Sequence, residues 1–562
     1  MNYFLTYTVY VLILSLLMGI STWKLFKKMG YNPLVAFVPF YNYFIILKET
    51  ENPKWWVALA YLPIVGPIMM TVFHILLMKK FGKQLIQHQV LTALLPFIYM
   101  AVVNYGKDTE LEDETEYFYA NTTDEPKEKK KDTLVGSLTF AIVFATIIHH
   151  FIAQPFGIPT GSMERTMLVG DFLFVNKMNY GLRLPMRPLS IPFLQGTIMD
   201  TGQKGNPKDD PKSYVEAVKL PYFRFPGWEK VKRNDIVVFN YPEDSVHTAI
   251  DRKDPYVKRC VAVGGDTFEM RAGRMYINGK PERRLADAQV QHAYFVETSE
   301  QLDIAALYQA YGFLPLQEGQ TEKGFIYRFQ GLTDEIAKDI KALPEVLSMQ
   351  EELAPQGEGV ISYFPIKRHG ELVGDEFGRA MFSKKIDSTN SIFPFGKPWN
   401  PDWYGPLKVP KKGETITLTP ENIETYRRII TQFEGNKLET KNGQFYINGK
   451  PTNQYKIQQE YYMMIGDNRD ASLDARFFGF VPETHIVGKP MFTWMSVEGL
   501  FADANSTYQP AGKRIRWDRM FKATNTGEAQ KTSYWWIAAI ILILFFGWEY
   551  FVKLFKRKKK ED

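Results

Sequence analysis

The chain has 562 residues, 45% of them hydrophobic, and a formal net charge of +6. That length holds several domains, and the hydrophobic share mixes membrane with soluble segments. Lysines cluster at the ends of apolar runs, which is topology information and not a nucleic-acid footprint, while a single cysteine, Cys260, excludes an internal disulfide framework and thiolate metal sites.

Taken in order, the chain opens on an apolar run from Tyr3 to Trp23, long enough for a bilayer span of about 20 residues. It lacks the basic start and small-residue cleavage site of a signal peptide. Lys24, Lys27 and Lys28 place its end in the cytoplasm by the positive-inside rule. Two further apolar runs follow, 33–47 broken by Pro39 and 55–78 broken by Pro63 and Pro67, before Lys79, Lys80 and Lys83. Basic flanks on both sides predict an even number of crossings between them, or none. With a last short run at 88–104, residues 1–106 read as a multi-span membrane module whose number of spans stays open. Residues 107–132, acidic and then lysine-rich, read as a charged cytoplasmic linker. Residues 133–153 read as a transmembrane anchor running outward. At the far end, 534–554 is a second span with Tyr534, Trp535 and Trp536 as interfacial anchors, and 555–562 is a basic cytoplasmic tail. Everything from about Gln154 to Ser533 is then expected outside the cytoplasmic membrane.

That outer region is patterned mostly as short strands: Phe172 to Asn176, Ile236 to Phe239, Tyr256 to Val263, Thr267 to Met270, Met275 to Ile277, Thr415 to Leu418, Gln444 to Ile447 and Lys489 to Trp494. The hexapeptide Tyr-Ile-Asn-Gly-Lys-Pro occurs at Tyr276 to Pro281 and again at Tyr446 to Pro451, each a hairpin signal. Either an insertion left and re-entered the sheet through similar hairpins, or the repeat is coincidence. Residues 283–441 hold two candidate helices. Thr333 caps a run with Ile336, Ile340 and Leu343, and Thr419-Pro420-Glu421 opens one through Ile423, Tyr426, Ile430 and Phe433 that closes at Gly435. This stretch reads as an α/β insertion without a catalytic residue of its own, and Lys204 to Lys219 as a smaller polar insertion.

Chemistry concentrates in three stretches. In Gln154 to Gly181, Pro159 and Gly161 set a turn at Gly161-Ser162-Met163 just beyond the anchor, where a serine is within reach of a membrane-borne substrate. Alone, a Gly-Ser pair near a proline is usually only a turn. A serine hydroxyl needs a base, and none of the eight histidines sits in a stretch built around it. A lysine serves if burial keeps it neutral, far below its unperturbed pKa of about 10.4. Lys258 interrupts the β-type run Pro255 to Val263, although an edge strand with its lysine in water has the same pattern. The third stretch, Met464 to Arg476, is dense in short polar and paired charged residues, as a solvated loop also would be, and leads directly into apolar Phe477 to Pro482.

In this order and behind a membrane anchor, the three stretches closely resemble bacterial type I signal peptidases, the Ser-Lys proteases that remove signal peptides from exported proteins. GSMERTMLVGDFLFVNK, KRNDIVVFNYP, YVKRCVAVGGD and GDNRDASLDARFFGFVP match that family's boxes. The resemblance implies a membrane-anchored, mainly-β catalytic domain in two parts, 154–282 and 442–533. It makes Ser162 the nucleophile and Lys258 the general base, with the Thr160 hydroxyl and the Ser162 N–H as oxyanion donors. Ser472 would orient the Lys258 amine, and Asp474 and Arg476 would pair to support their loop. Ile158, Met163, Met167, Tyr256 and Val257 would line the pockets for the −1 and −3 residues of an Ala-X-Ala site. The chain departs from the pattern with Thr160 for serine, Arg165 and Gly264 for prolines, and Ala471 for asparagine, none of which removes a group the reaction needs.

No metal or cofactor is expected. The partners implied are signal-peptide-bearing preproteins and the lipid bilayer, not nucleic acid, with any partner in the secretion machinery unknown. VPFYNYFIILKE and PKWWVALAYLP also look like a small membrane module attached to signal peptidases in some bacteria. The expected activity is an integral-membrane serine endopeptidase; the alternative is a catalytically inactive membrane-tethered scaffold of the same fold, against which the intact Ser162, Lys258 and Ser472 set argues.

Overall fold

A computed structural model describes residues 2–107, 109–111, 134–199, 209–362, 381–384, 392–501, 512–528, 533–537 and 539–540. The chain forms two compact units. One comprises Met1–Ile152, Leu182–Phe225 and Val246–Arg252, the other Ala153–Gly181, Pro226–Ser245 and Lys253–Asp562.

The first unit is built on the helix Tyr3–Lys28. Its start is capped by the Asn2 side chain, which accepts from Phe4 N at 3.3 Å, and its last turn carries Lys27 and Lys28, both favourable to the helix dipole and its unpaired end groups. Among the described residues it is the one helix long and apolar enough to cross a membrane. Prolines cut the next runs short, as expected of residues that lack an N–H donor. Tyr41–Glu49 and Val65–Lys80 each begin just after one, with Phe40 and Ile64 at positive φ before them. These helices, with Ile86–Leu94 and Pro96–Tyr105, surround a core that includes Phe26, Tyr43, Phe73 and Met100. The stretch expected to form the anchor includes the helix Leu134–Ile147, prolonged by one wide π turn over Ile148–Ile152. Leu182–Phe225 folds back on itself, Leu184 N bonding Phe223 O at 3.0 Å, and its Phe223 ring lies 4.9 Å from that of Phe4. The linker segment 112–132, the span from 541 and the tail 555–562 lie outside the described residues.

The second unit is organised by one antiparallel sheet. Its order is Ala153–Gly157, Asp171–Asn176, Ile486–Glu498, Ile236–Asn240, Pro255–Val263, Tyr461–Ile465 and Val481–Pro482. Asp171–Asn176 alternates buried and half-buried residues, as a strand with one covered face should, whereas every residue of Ile236–Asn240 and Tyr461–Ile465 is buried. Register shifts opposite the long strand Ile486–Glu498 interrupt the ladder at Phe172/Leu173 and Phe174/Val175, where extra residues bend a sheet. Both repeats are hairpins, with Asn278 and Asn448 at φ 54° and 52° and Gly279 and Gly449 at 74° and 78°, the positive pair that a type I′ turn demands. They belong to separate small sheets.

Within residues 283–441, Val346–Glu351, Gln291–Thr298, Gly324–Thr333 and Gln317–Thr321 form their own four-stranded sheet, accompanied by the helices Ile304–Tyr311 and Asp334–Lys341. Val296, Tyr327, Phe329 and Ile340 fill a separate core. Thr333 caps the second helix as read from the sequence, accepting from Ile336 N at 3.3 Å. The other predicted helix starts at Ile423 and not at Thr419, because the Asn422 side chain takes the Thr419 N–H into a turn at 2.9 Å; it then runs into a π turn, Ile429–Phe433.

Candidate active site

Leaving the strand Ala153–Gly157, the chain makes one tight turn, Gly161–Met163, entered through Thr160 in extended conformation at φ −129°. Met163 is fully buried beneath it, and Ser162 is 7% exposed. Lys258 sits in mid-strand opposite Val237, and the next residue, Arg259, is opposite Ile465 of the strand on the other side. The lysine strand is therefore internal, which overturns the edge-strand alternative. Lys258 is 3% exposed, and its Nζ hydrogen-bonds Ser162 Oγ across 96 positions of sequence. The same Nζ lies 5.6 Å from the centre of the Tyr256 ring.

The polar loop after Tyr461–Ile465 closes over this pair. Gly466 makes the approach possible, since a Cβ there would stand 2.2 Å from Ser472 Oγ and 2.5 Å from Ser162 O. Asn468 then donates from its N to Ser162 O at 3.2 Å and from Nδ2 to Gly161 O at 3.1 Å. Asp474 and Arg476 form the expected ion pair through two bonds of 2.9 Å, both side chains fully buried. That pair is tied into the loop, Asp474 Oδ2 accepting from Gly466 N at 3.2 Å and Arg476 donating to Arg469 O at 2.6 Å.

A second buried ion pair was not read from the sequence. Arg259 grips Asp467 at 2.9 and 2.8 Å, and Thr166 Oγ1 donates to the same carboxylate at 2.7 Å. Burial alone would raise the Asp467 pKa, but the Arg259 charge and these hydrogen bonds outweigh it and hold the carboxyl below its usual range. Its signal was present: Arg259 follows Lys258 along a strand, so the two side chains point to opposite faces, and Asp467 opens the polar loop.

Ile158, Met163, Met167 and Val257 come together in one apolar cluster with Leu173, Val175, Ile236 and Val238. Tyr256 does not join them; its ring stacks on Tyr241 at 4.5 Å. Thr160 is exposed and spends no side-chain bond on capping the turn. Ser472 departs from expectation. Its Oγ is buried but has no hydrogen-bond partner among the described residues, because the Lys258 amine is turned to Ser162 and the hydroxyl rests against Gly466. Gly264 is explained by crowding, since a Cβ would meet Glu460 Oε2 at 2.5 Å and the backbone at Lys411 and Pro410 at 3.1 Å. Cys260 is a packed strand residue, its thiol pushed well up by burial.

An antiparallel β domain holding a buried serine and lysine in contact is a frame for acyl transfer, and the chain is a serine endopeptidase. The profile of the family described as signal peptidase, peptidase S26, matches residues 132–325 and 452–495 and so contains all three chemical stretches. Signal peptidase I of Haemophilus influenzae is 25% identical over 402 residues, covering 68% of this chain and 72% of that protein. The Helicobacter pylori (strain 26695) signal peptidase I is 25% identical over 399 residues, 68% of this chain and 89% of the relative. Identity rises to 32% against that of Pseudomonas aeruginosa, but over 148 residues, 26% of this chain and 37% of the relative. Residues 34–113 match a family of unknown function, DUF5684.

Proposed function

We propose that the chain cuts signal peptides from exported preproteins after a small residue, with Ser162 as nucleophile and Lys258 as general base. The observation that carries this reading is the direct, buried hydrogen bond between the Lys258 amine and the Ser162 hydroxyl. As Ser162 Oγ attacks the carbonyl carbon of the −1 residue, its proton passes to Lys258 Nζ. The Ser162 N–H and the Thr160 hydroxyl stabilise the oxyanion. Lys258 returns the proton to the departing amine, leaving an ester on Ser162 and releasing the mature protein. A water then gives its proton to Lys258 and attacks the ester, and Lys258 returns that proton to the departing Ser162 Oγ as the signal peptide is freed. Ser472 is assigned to orienting the Lys258 amine, and Asp474 and Arg476 to supporting the loop above the pair. Ile158, Met163, Met167, Tyr256 and Val257 are assigned to the −1 and −3 subsites and to the Ala-X-Ala preference.

The same reading makes 154–282 and 442–533 the two parts of the catalytic domain, 283–441 its insertion, and the active side extracytoplasmic. Supporting that side, Lys27 and Lys28 close the first helix, while its start packs on Phe223, in a segment that interrupts the chain between two strands of the catalytic sheet.

The test uses the detergent-solubilised full chain and a preprotein with an Ala-X-Ala site. Cleavage is expected directly after the −1 alanine, lost when that alanine is changed to tyrosine, and reduced at least about 1,000-fold by either Ser162→Ala or Lys258→Ala in folded protein. An inert parent would hand the function to the scaffold alternative, and variants that keep its activity would remove Ser162 and Lys258 as the dyad.

A further inference from the structure

Nothing in the reaction as written uses the insertion, yet its first strand is bonded into the active-site loops. We propose that Gln291, the residue that opens the strand Gln291–Thr298, is a positioning residue that locks the nucleophile turn to the Asp467–Arg476 loop, so that the insertion is part of the catalytic apparatus. This rests on the Ser162–Lys258 reading.

Gln291 is 0% exposed. Its N donates to Asp467 O at 3.0 Å, and its O accepts from Arg469 N at 3.2 Å, so its backbone grips the loop on both sides of Asn468. Asn468 is the residue that bonds the carbonyls of Gly161 and Ser162. The Gln291 side chain turns the other way and donates from Nε2 to Glu164 O at 2.5 Å, in the nucleophile turn itself. One residue thus holds both loops that meet at Ser162.

The adjoining residues repeat the connection. Arg165, strained at φ 65°, donates to Tyr311 O at 2.7 Å, and Thr166 Oγ1 accepts from Gln289 N at 3.2 Å. Glu164, Arg165 and Thr166 are therefore each tied to the segment 289–311. On the loop side, Ala293 N donates to Asp470 Oδ2 at 2.6 Å. Within the turn, Glu164 N bonds Gly161 O and Met167 N bonds Met163 O. A displacement of about 1 Å at a reacting atom can cost about 100-fold in rate, so a turn this short needs outside restraint.

Gln291→Met keeps the length of the side chain and the backbone bonds but removes the donor to Glu164 O. It is expected to lower kcat about 10- to 100-fold with KM within twofold, and to move the acid limb of the kcat profile by at least half a pH unit. Arg165→Met, which leaves the strand untouched, is expected to lower kcat at least fivefold and serves if Gln291→Met fails to fold. Ile340→Ala, a cavity in the insertion's own core, is expected to lower Tm while kcat stays within twofold. Unchanged kcat in Gln291→Met, or in Arg165→Met where the former is unfolded, overturns the proposal, as does a loss of kcat that follows Tm equally in all three. The parent and Ser162→Ala are assayed alongside: absence of Ser162-dependent turnover in the parent removes the underlying reading, whereas a normal parent with a normal Gln291→Met removes only this one.

Discussion

Lys258 meets a serine and not water because its strand has neighbours on both sides and it faces the nucleophile turn. The same residue-scale logic makes the loop's charges testable. Burial, then the charge of Asp402, pushes Asp470 up from 3.8 to about 7, with Glu352 adding repulsion and Arg476 and the Ala293 N–H opposing it. The folded chain therefore holds a proton there that the unfolded chain releases, and the associated stability is whole below about pH 4 and lost as pH rises through about 7. Asp470→Asn is neutral throughout, so its Tm should match the parent near pH 4 and exceed it increasingly toward pH 8; a pH-independent difference would contradict this origin. Arg476→Met strands the Asp474 carboxylate in a fully buried site, and should cost about 3–5 kcal/mol by denaturant unfolding, much of it recovered on adding Asp474→Leu. Ser162, Lys258 and the Asp474–Arg476 pair were legible through the resemblance of their motifs to a known family, since each stretch taken alone also read as a turn, an edge strand or a solvated loop. Gln291 was not, because half of its bonds are made by backbone groups that every residue carries, and the rotation of the Ser472 hydroxyl leaves no trace in sequence.

Among the elements, strands bounded by turn signals were read to within about two residues at most ends, as in Pro255–Val263 and Gln444–Ile447. The exception is Ile486–Glu498, which outruns its predicted core in both directions because the sheet continues beyond its apolar centre. Tyr461–Ile465 and Gln291–Thr298 were missed for opposite reasons: the first is buried throughout and shows no alternation, the second begins on polar residues that serve the loop. The twin Asn-Gly hairpins give a controlled comparison. A Cβ at Gly279 or Gly449 meets nothing within 4 Å, so alanine at either site should cost only the left-handed backbone penalty, about 1–2 kcal/mol. Equal losses in the two variants are expected by denaturant unfolding, and a much larger one at either site would reveal a role beyond the turn.

At the scale of the whole molecule, the signal-peptidase profile match and the Ser162–Lys258 contact converge on one activity, and the sequence pointed to it because its motifs are local. The N-terminal region was harder to read. Its prolines divide apolar runs into helices of 9 and 16 residues, shorter than the about 20 of a simple span, and hydropathy alone does not tell such helices from crossings. A lysine base must be neutral to accept the serine proton, so cleavage should rise from acid toward mildly alkaline pH, and a flat profile would count against it. The most direct measurement is mass-spectrometric mapping of the site modified by a serine-directed acylating inhibitor, on the solubilised full chain and on Lys258→Ala at the same pH. A single adduct on Ser162 in the parent, lost in the folded Lys258→Ala variant, is the predicted result. An adduct on another residue, or one formed equally well without Lys258, would contradict the dyad.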